Sequence, residues 1–251
     1  MSSLDTVREA WHHLFIESAL STTEPKSDRS ARYGLVMQLQ GELPDIPIDE
    51  LLNYKISAKM NSLRKNYLNE EEIELAREKL SRKETSSVSF SLKAGEKYGG
   101  KYRNVDHCMV SAVVYKEKGL ITNITIFYRS TEICRKWLPD LVFLREEVIP
   151  RLGIDSYGSI TFMFGRVVTK SEWFWIILRD MSEKERNWFF ERYSREKPKG
   201  VAFLKRLIQQ VENPTCKLLR SQEACYKMFH EDPIYKIMKR LLRNLGGFTI
   251  K

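Results

Sequence analysis

Apolar residues recur at helical spacing from Leu4 to Leu20 and stop at the polar stretch Ser21 to Ser30. Tyr33 to Leu39 alternates as a short strand, and Pro44 and Pro47 mark the turn after it. Leu51 to Leu80 is mostly helical, with Asn69 as a cap before the acidic first turn Glu70, Glu71, Glu72. Thr85 to Leu92 alternates again. His107 to Tyr115 and Leu120 to Tyr128 form two strands, joined by the hairpin signal Lys116-Glu117-Lys118-Gly119. In the second strand Ile124, Ile126 and Tyr128 face one way and Asn123 and Thr125 the other. Leu138 to Leu152 is a helix with Pro139 in its first turn, and Ile160, Phe162 and Phe164 mark a further strand. After Ser171 nearly everything is helical. Ser182 and Glu185 form a capping box, Asp232-Pro233 starts the last helix and Gly246 ends it. This order predicts an α+β body over residues 1–180 and a helical C-terminal region over residues 181–251.

The chain has 251 residues, 42% hydrophobic and 30% charged, a balance that supports a packed core and excludes a wholly disordered chain. The longest apolar run is Trp173 to Leu178, far short of the ~20 residues of a membrane-spanning helix. Asp5, Arg8 and Glu9 stand where a secretory signal would be apolar. The four cysteines, Cys108, Cys134, Cys216 and Cys225, form no C-x-x-C pair. Neither a metal site nor a disulfide framework is expected, and the reading is a reduced, cytoplasmic protein without a membrane partner. The net charge of +9 is uneven, since residues 181–251 hold 16 basic and 8 acidic side chains. Such a region suits a nucleic-acid partner, or is simply a solvated helical surface.

Two short segments carry chemistry. Cys108 follows Asp106 and His107 at the start of a strand, where a neighbouring imidazole can favour the thiolate. Cys is also among the most buried residue types, and adjacent strand residues point to opposite faces. Arg129 and Ser130 end a strand, where a guanidinium fork and a hydroxyl can grip a phosphate. Alternatively Arg129 caps the next helix or pairs with Glu132.

Several motifs occur in one order. Lys26-Ser27-Asp28-Arg29-Ser30 is similar to a phosphate-binding D-R-T-G segment, and Tyr33-Gly34-Leu35-Val36-Met37 to the F-G-x-Q-M strand after it. Glu50-Leu51-Leu52 resembles E-L-L-W, and Tyr98-Gly99-Gly100-Lys101-Tyr102-Arg103 resembles Y-G-x-Q-W-R. Cys108 precedes Tyr115 and Gly119 at the offsets of a nucleophilic cysteine, and Tyr128-Arg129-Ser130-Thr131-Glu132 resembles Q-R-S-x-D. Over residues 10–170 the chain thus resembles the thymidylate synthase family, including the deoxycytidylate hydroxymethylases. The stretches from Arg29 to Glu50 and from Arg103 to Cys108 are shorter than the family's, and the histidine precedes the cysteine. Gly165-Arg166-Val167-Val168-Thr169-Lys170 lacks the sugar-binding His and Tyr of G-D-x-H-I-Y.

The resemblance implies a mixed-sheet body of thymidylate-synthase type and a homodimer. It implies that Cys108 adds to C6 of a pyrimidine nucleotide, that Glu50 organises proton transfers, and that methylenetetrahydrofolate is the one-carbon donor. Arg29, Arg129, Ser130 and Tyr98 fall on substrate-binding motifs. Asp140 stands at the offset of the base-reading asparagine. A carboxyl group accepts from an exocyclic amine and so suits cytosine, as in the hydroxymethylases. The other reading of Asp140 is a solvated first-turn carboxylate stabilised by the helix dipole. A catalytically inactive relative that binds nucleic acid or protein is the alternative function.

Overall fold

Val114, Ile124, Ile126, Ile160 and Phe162 are β-branched or aromatic side chains at alternate positions, a pattern that fits a pleated surface buried on one face. They form the centre of one sheet in a computed structural model, which describes residues 3–21, 29–52, 57–92, 97–98, 101–102 and 108–212. The sheet runs β1 (Arg29–Gln40), β8 (Ser159–Lys170), β6 (Leu120–Tyr128), β5 (Met109–Glu117) and β2 (Ser87–Ser91), with β7 (Thr131–Glu132) also paired to β8. β6 and β7 lie parallel to β8 and the other pairs are antiparallel. A separate ribbon, β3 (Lys97–Tyr98) and β4 (Lys101–Tyr102), completes the strands among the described residues. The fold is therefore α+β with a mixed sheet.

The β5–β6 hairpin turns on two residues, Lys118 and Gly119, both at positive φ (51° and 85°). That is the two-residue turn whose twist matches the strands, tighter than the four-residue loop expected. The parallel β6–β8 pair needs a crossover, supplied by α5 (Trp137–Phe143), a π turn at Leu144–Val148 and α6 (Ile149–Arg151). Pro150 has no N–H and its ring would meet the carbonyl four residues back, which favours the wider turn before it. Trp137 of α5 packs edge-on to Phe162 of β8 with ring centres 5.6 Å apart.

The mostly helical stretch expected over Leu51 to Leu80 holds the end of α2 (Ile48–Leu52), then α3 (Ser57–Tyr67) and α4 (Glu70–Ser81). Asn69 separates the last two, its side chain accepting from the Glu72 N–H as an N-cap. α1 (Ser3–Ala19) packs on β1 and β8, and its Trp11 Nε1–H donates to the Ile133 carbonyl at 2.8 Å. Its His12 lies between Asp180 and Glu185, at 3.0 and 3.4 Å.

α7 (Phe174–Asp180), α8 (Glu183–Glu196) and α9 (Val201–Glu212) complete the described chain. Phe189 of α8 lies 5.0 Å from Phe15 of α1, and Leu204 and Leu207 of α9 belong to the same buried cluster as the sheet. The expected boundary near residue 180 thus falls between helices that share one core. Ser182 and Glu185 form the expected capping box. The last helix, Asp232-Pro233 to Gly246, lies outside the described residues. Among the described residues no helix is long and apolar enough to cross a membrane.

Three strands, β1, β6 and β5, are irregular at one level of the sheet, beside an unbroken β8. Gly34 of β1 has φ +67° and interrupts the ladder between Tyr33–Arg166 and Leu35–Phe164. On the other side of β8, β6 ends at Tyr128, opposite Phe164, and pairing resumes as β7 at Thr131, opposite Val167. β5 shifts register between Met109, opposite Tyr128, and Ser111. The β1–β8 and β6/β7–β8 registers are the same on both sides of the gap, so only β5 carries a displaced residue, of the kind that bends a strand and increases its twist. Gly165 sits at the centre: a Cβ there would lie 2.9 Å from the Arg129 carbonyl oxygen and 3.4 Å from that of Tyr128. Gly165→Ala should destabilise by about 1–3 kcal/mol, lowering Tm by roughly 2–12 °C for a chain of this size. Thermal melting by circular dichroism checks this, and an unchanged Tm would mean that the strands can part at no cost.

Candidate functional site

Cys108 and Arg129 meet at that irregular level. The Arg129 N–H donates to the Cys108 carbonyl at 2.9 Å, extending the β5–β6 ladder by one residue pair. The Cys108 N–H donates in turn to the Tyr67 hydroxyl at 2.6 Å. Cys108 is 6% exposed, whereas Arg129 is exposed and Ser130, in the gap between β6 and β7, is half-buried. Cys108 thus has its backbone tied on two sides, to the last residue of α3 and to the strand end of Arg129.

Asp140 joins this group from α5. It is 2% exposed, so the solvated first-turn reading does not hold. Its N–H donates to the Lys136 carbonyl at 3.1 Å, fixing it in the first turn of α5. Two phenols share its surroundings. Burial pushes the Tyr67 hydroxyl far above its ordinary value, and the Asp140 and Cys108 charges push it the same way. Tyr128, wholly buried, is also raised well above its ordinary value by burial, then by Asp140, Tyr67 and Cys108. Both phenols are therefore held protonated and able to donate. The Tyr128 hydroxyl has no hydrogen-bond partner among the described residues. The result is a buried thiol, carboxyl and two phenols, beside the exposed residue Arg129 whose backbone pairs with Cys108. Chemically it offers a nucleophile, an acceptor for an amine or N–H edge, and two proton donors.

The remaining candidates lie elsewhere. Glu50 is exposed on α2, and its carbonyl accepts from Arg179 Nη2 at 2.9 Å, so it belongs to the α2–α7 contact. Arg29 is exposed at the start of β1 opposite Lys170, five residues from Gly34, about 16 Å along the strand. Tyr98 is on β3, paired with Lys101. His107 and Arg103 lie outside the described residues. Cys134 is a buried thiol whose N–H donates to Glu132 at 3.1 Å, and burial raises it well above its ordinary value.

The sequence reading missed Tyr67. It is 41 residues from Cys108, and no local spacing joins a helix end to a strand start across that distance. Tyr128 was legible only as an inward strand position.

The phenols set a pH limit. A group whose folded pKa is raised contributes stability that is present below its unfolded value, about 10 for tyrosine, and is lost above it. Stability should therefore fall as pH rises beyond about 10. In a spectrophotometric titration part of the tyrosinate absorbance should appear only with unfolding, and Tyr128→Phe should shrink that step. A tyrosinate curve complete before any unfolding would contradict this burial.

Neither a protein-family model nor a curated protein matches the chain.

Proposed function

We propose that the chain is a pyrimidine C5 one-carbon transferase of the thymidylate synthase and deoxycytidylate hydroxymethylase type, with cytosine favoured over uracil. The observation that carries the reading is the convergence of Cys108, Arg129 and Asp140. These come from three separate motifs: the Arg129 backbone pairs with that of Cys108, and Cys108 and Asp140 both act on Tyr67 and Tyr128. In this reading the Cys108 thiolate adds to C6 of the base and makes C5 nucleophilic. Asp140 accepts from the exocyclic amine of cytosine, and Arg129 with Ser130 holds the phosphate at the rim. Glu50 and Arg29 belong to the reading by resemblance, and would have to approach from α2 and from the far end of β1. Tyr98, likewise, would reach the nucleotide from the β3–β4 ribbon. A homodimer and the thymidylate-synthase type of body belong to it on the same ground.

The resemblance implies methylenetetrahydrofolate as the one-carbon donor. Among the described residues the well-exposed aromatic rings are Tyr33, Tyr115 and Trp188, and none belongs to this cluster. Among the described residues the groups around Cys108 offer no exposed ring face for a pteridine, so no step is derived through the folate.

Exchange of the C5 hydrogen reports thiolate addition without any one-carbon donor. Tritium should leave C5-labelled dCMP faster than dUMP, and Cys108→Ser should lower the release at least about a thousandfold. Asp140→Asn should move the preference toward dUMP by about ten- to a hundredfold, the worth of one base-edge hydrogen-bond pair, ~1–3 kcal/mol. Release that survives Cys108→Ser removes that residue from the chemistry.

One observation favours the second reading, a catalytically inactive relative that binds nucleic acid or protein. Where the resemblance expects a sugar-binding His and Tyr, β8 supplies Val168, buried between β1 and β7, and Lys170, half-buried opposite Arg29. α8 carries four basic and four acidic residues, so much of the basic excess of residues 181–251 lies beyond residue 212. If that region binds nucleic acid, affinity should fall by roughly a thousandfold or more between about 50 and 200 mM salt when six or more phosphates are contacted. Filter binding of a single-stranded oligonucleotide across salt measures this, and salt-independent binding would leave those charges as a solvated surface.

A further inference from the structure

The end of α8 carries a second pair of reactive groups, away from Cys108. Lys197 caps this helix: its N–H donates to the Tyr193 carbonyl at 2.7 Å, and Pro198 follows. A residue before proline is disfavoured in the helical region, and Lys197 has left it, at φ −134° and ψ 63°. Tyr193 packs against Phe174 and Phe189, and its hydroxyl lies 2.7 Å from where a Cβ on Gly200 would stand. The helix end and the turn after it are thus held from both sides. So placed, the half-buried Lys197 side chain reaches β1, where Nζ lies 2.6 Å from Ser30 Oγ.

Ser30 is buried and sits four residues before Gly34, about 13 Å along β1 from the irregular level. Its cross-strand neighbour Thr169 is fully buried, and the Thr169 hydroxyl has no hydrogen-bond partner among the described residues. Lys197 Nζ thus donates to Ser30 Oγ, and Thr169 does not compete for that hydroxyl. Burial pushes the Lys197 amine down to about 8, against an opposing pull from Glu196. Near neutral pH such an amine is roughly a hundredfold richer in its nucleophilic neutral form than an ordinary lysine.

We propose that Lys197 and Ser30 form a carbonyl-capture site, in which the Lys197 amine takes a small aldehyde or ketone as a Schiff base and Ser30 relays the proton. The Nζ lone pair forms a bond to the carbonyl carbon while the carbon–oxygen π pair moves to oxygen. Ser30 gives its proton to that oxygen and regains one from Nζ, which yields a neutral carbinolamine. Loss of hydroxide, protonated to water, leaves the C=N bond. One water is released and nothing is oxidised or reduced. The site does not depend on the chemistry assigned to Cys108.

The test is reductive alkylation of the full-length protein with propionaldehyde and cyanoborohydride from about pH 6.5 to 9.5, followed by peptide mass spectrometry. The Lys197 product should form at least about tenfold faster than the median of the other lysines, with a midpoint near pH 8. Ser30→Ala should slow Lys197 alone, by about tenfold, with the other lysines unchanged and the thermal melt retained. Lys197 labelling within about twofold of the other lysines, or a midpoint above about pH 10, would overturn the proposal. So would an unchanged Lys197 rate in Ser30→Ala. Should that variant fail to fold, the rate and midpoint in the unaltered protein decide the matter alone.

Discussion

The approach of β8 to the end of β6 at Gly165 governs the middle of the molecule. Only a residue without a Cβ lets the Arg129 and Tyr128 carbonyls come this near. With the strands at that distance, β6 breaks at Arg129 and Ser130 and pairing resumes as β7. β1 answers with positive φ at Gly34, and β5 with a register shift after Met109. A single bulge bends one strand. The β1–β8 and β6/β7–β8 registers are the same on both sides of the gap, so the ladder closes again beyond it with little loss of pairing. At this level lie Cys108 and Arg129, joined by one backbone bond, and Ser130 in the gap between β6 and β7. The site candidates are therefore set by backbone geometry before any side-chain contact is considered.

Burial then decides what those groups can do. A carboxyl as enclosed as Asp140 costs several kcal/mol unless its neighbours answer it. The neighbours that feel its charge most are phenols, which are donors held protonated by the same burial. The charged residue of the group, Arg129, stays exposed at the strand end. This division places a low-dielectric interior that can sort hydrogen-bond donors behind a rim that can hold an anion.

What the sequence disclosed followed from local rules. Period-two alternation located β2, β5, β6 and β8, and side-chain chemistry located the caps at Asn69 and Ser182. The break between α3 and α4 was legible only as the Asn69 cap, because residues 51–80 keep helical periodicity through it. β1 ran longer than its apolar core suggested, since Arg29, Arg32 and Gln38 are exposed positions on an edge strand and carry no hydrophobic signal. The contacts that build the site were not legible. Tyr67 to Cys108 and Lys197 to Ser30 are separations of 41 and 167 residues, set by packing and not by spacing. Motif order brought Cys108, Arg129 and Asp140 to notice together. The same order also put forward Glu50 and Arg29, which the structure places on α2 and at the far end of β1.

The two centres lie on different strands, one where β5 starts and β6 ends and the other on β1, and they differ in what tunes them. At the irregular level, the acidic groups are tyrosines, a cysteine and an aspartate, and burial favours the uncharged form of each phenol. At Ser30, about 13 Å along β1, the titratable group is an amine, and burial again favours the uncharged form. For a phenol the uncharged form is the proton donor; for an amine it is the nucleophile. One physical effect, loss of water from a polar side chain, therefore favours a proton donor at Tyr67 and Tyr128 and a proton acceptor at Lys197. The direction is fixed by whether the ionised state is an anion or a cation, so the same burial suits the two places to different classes of reaction.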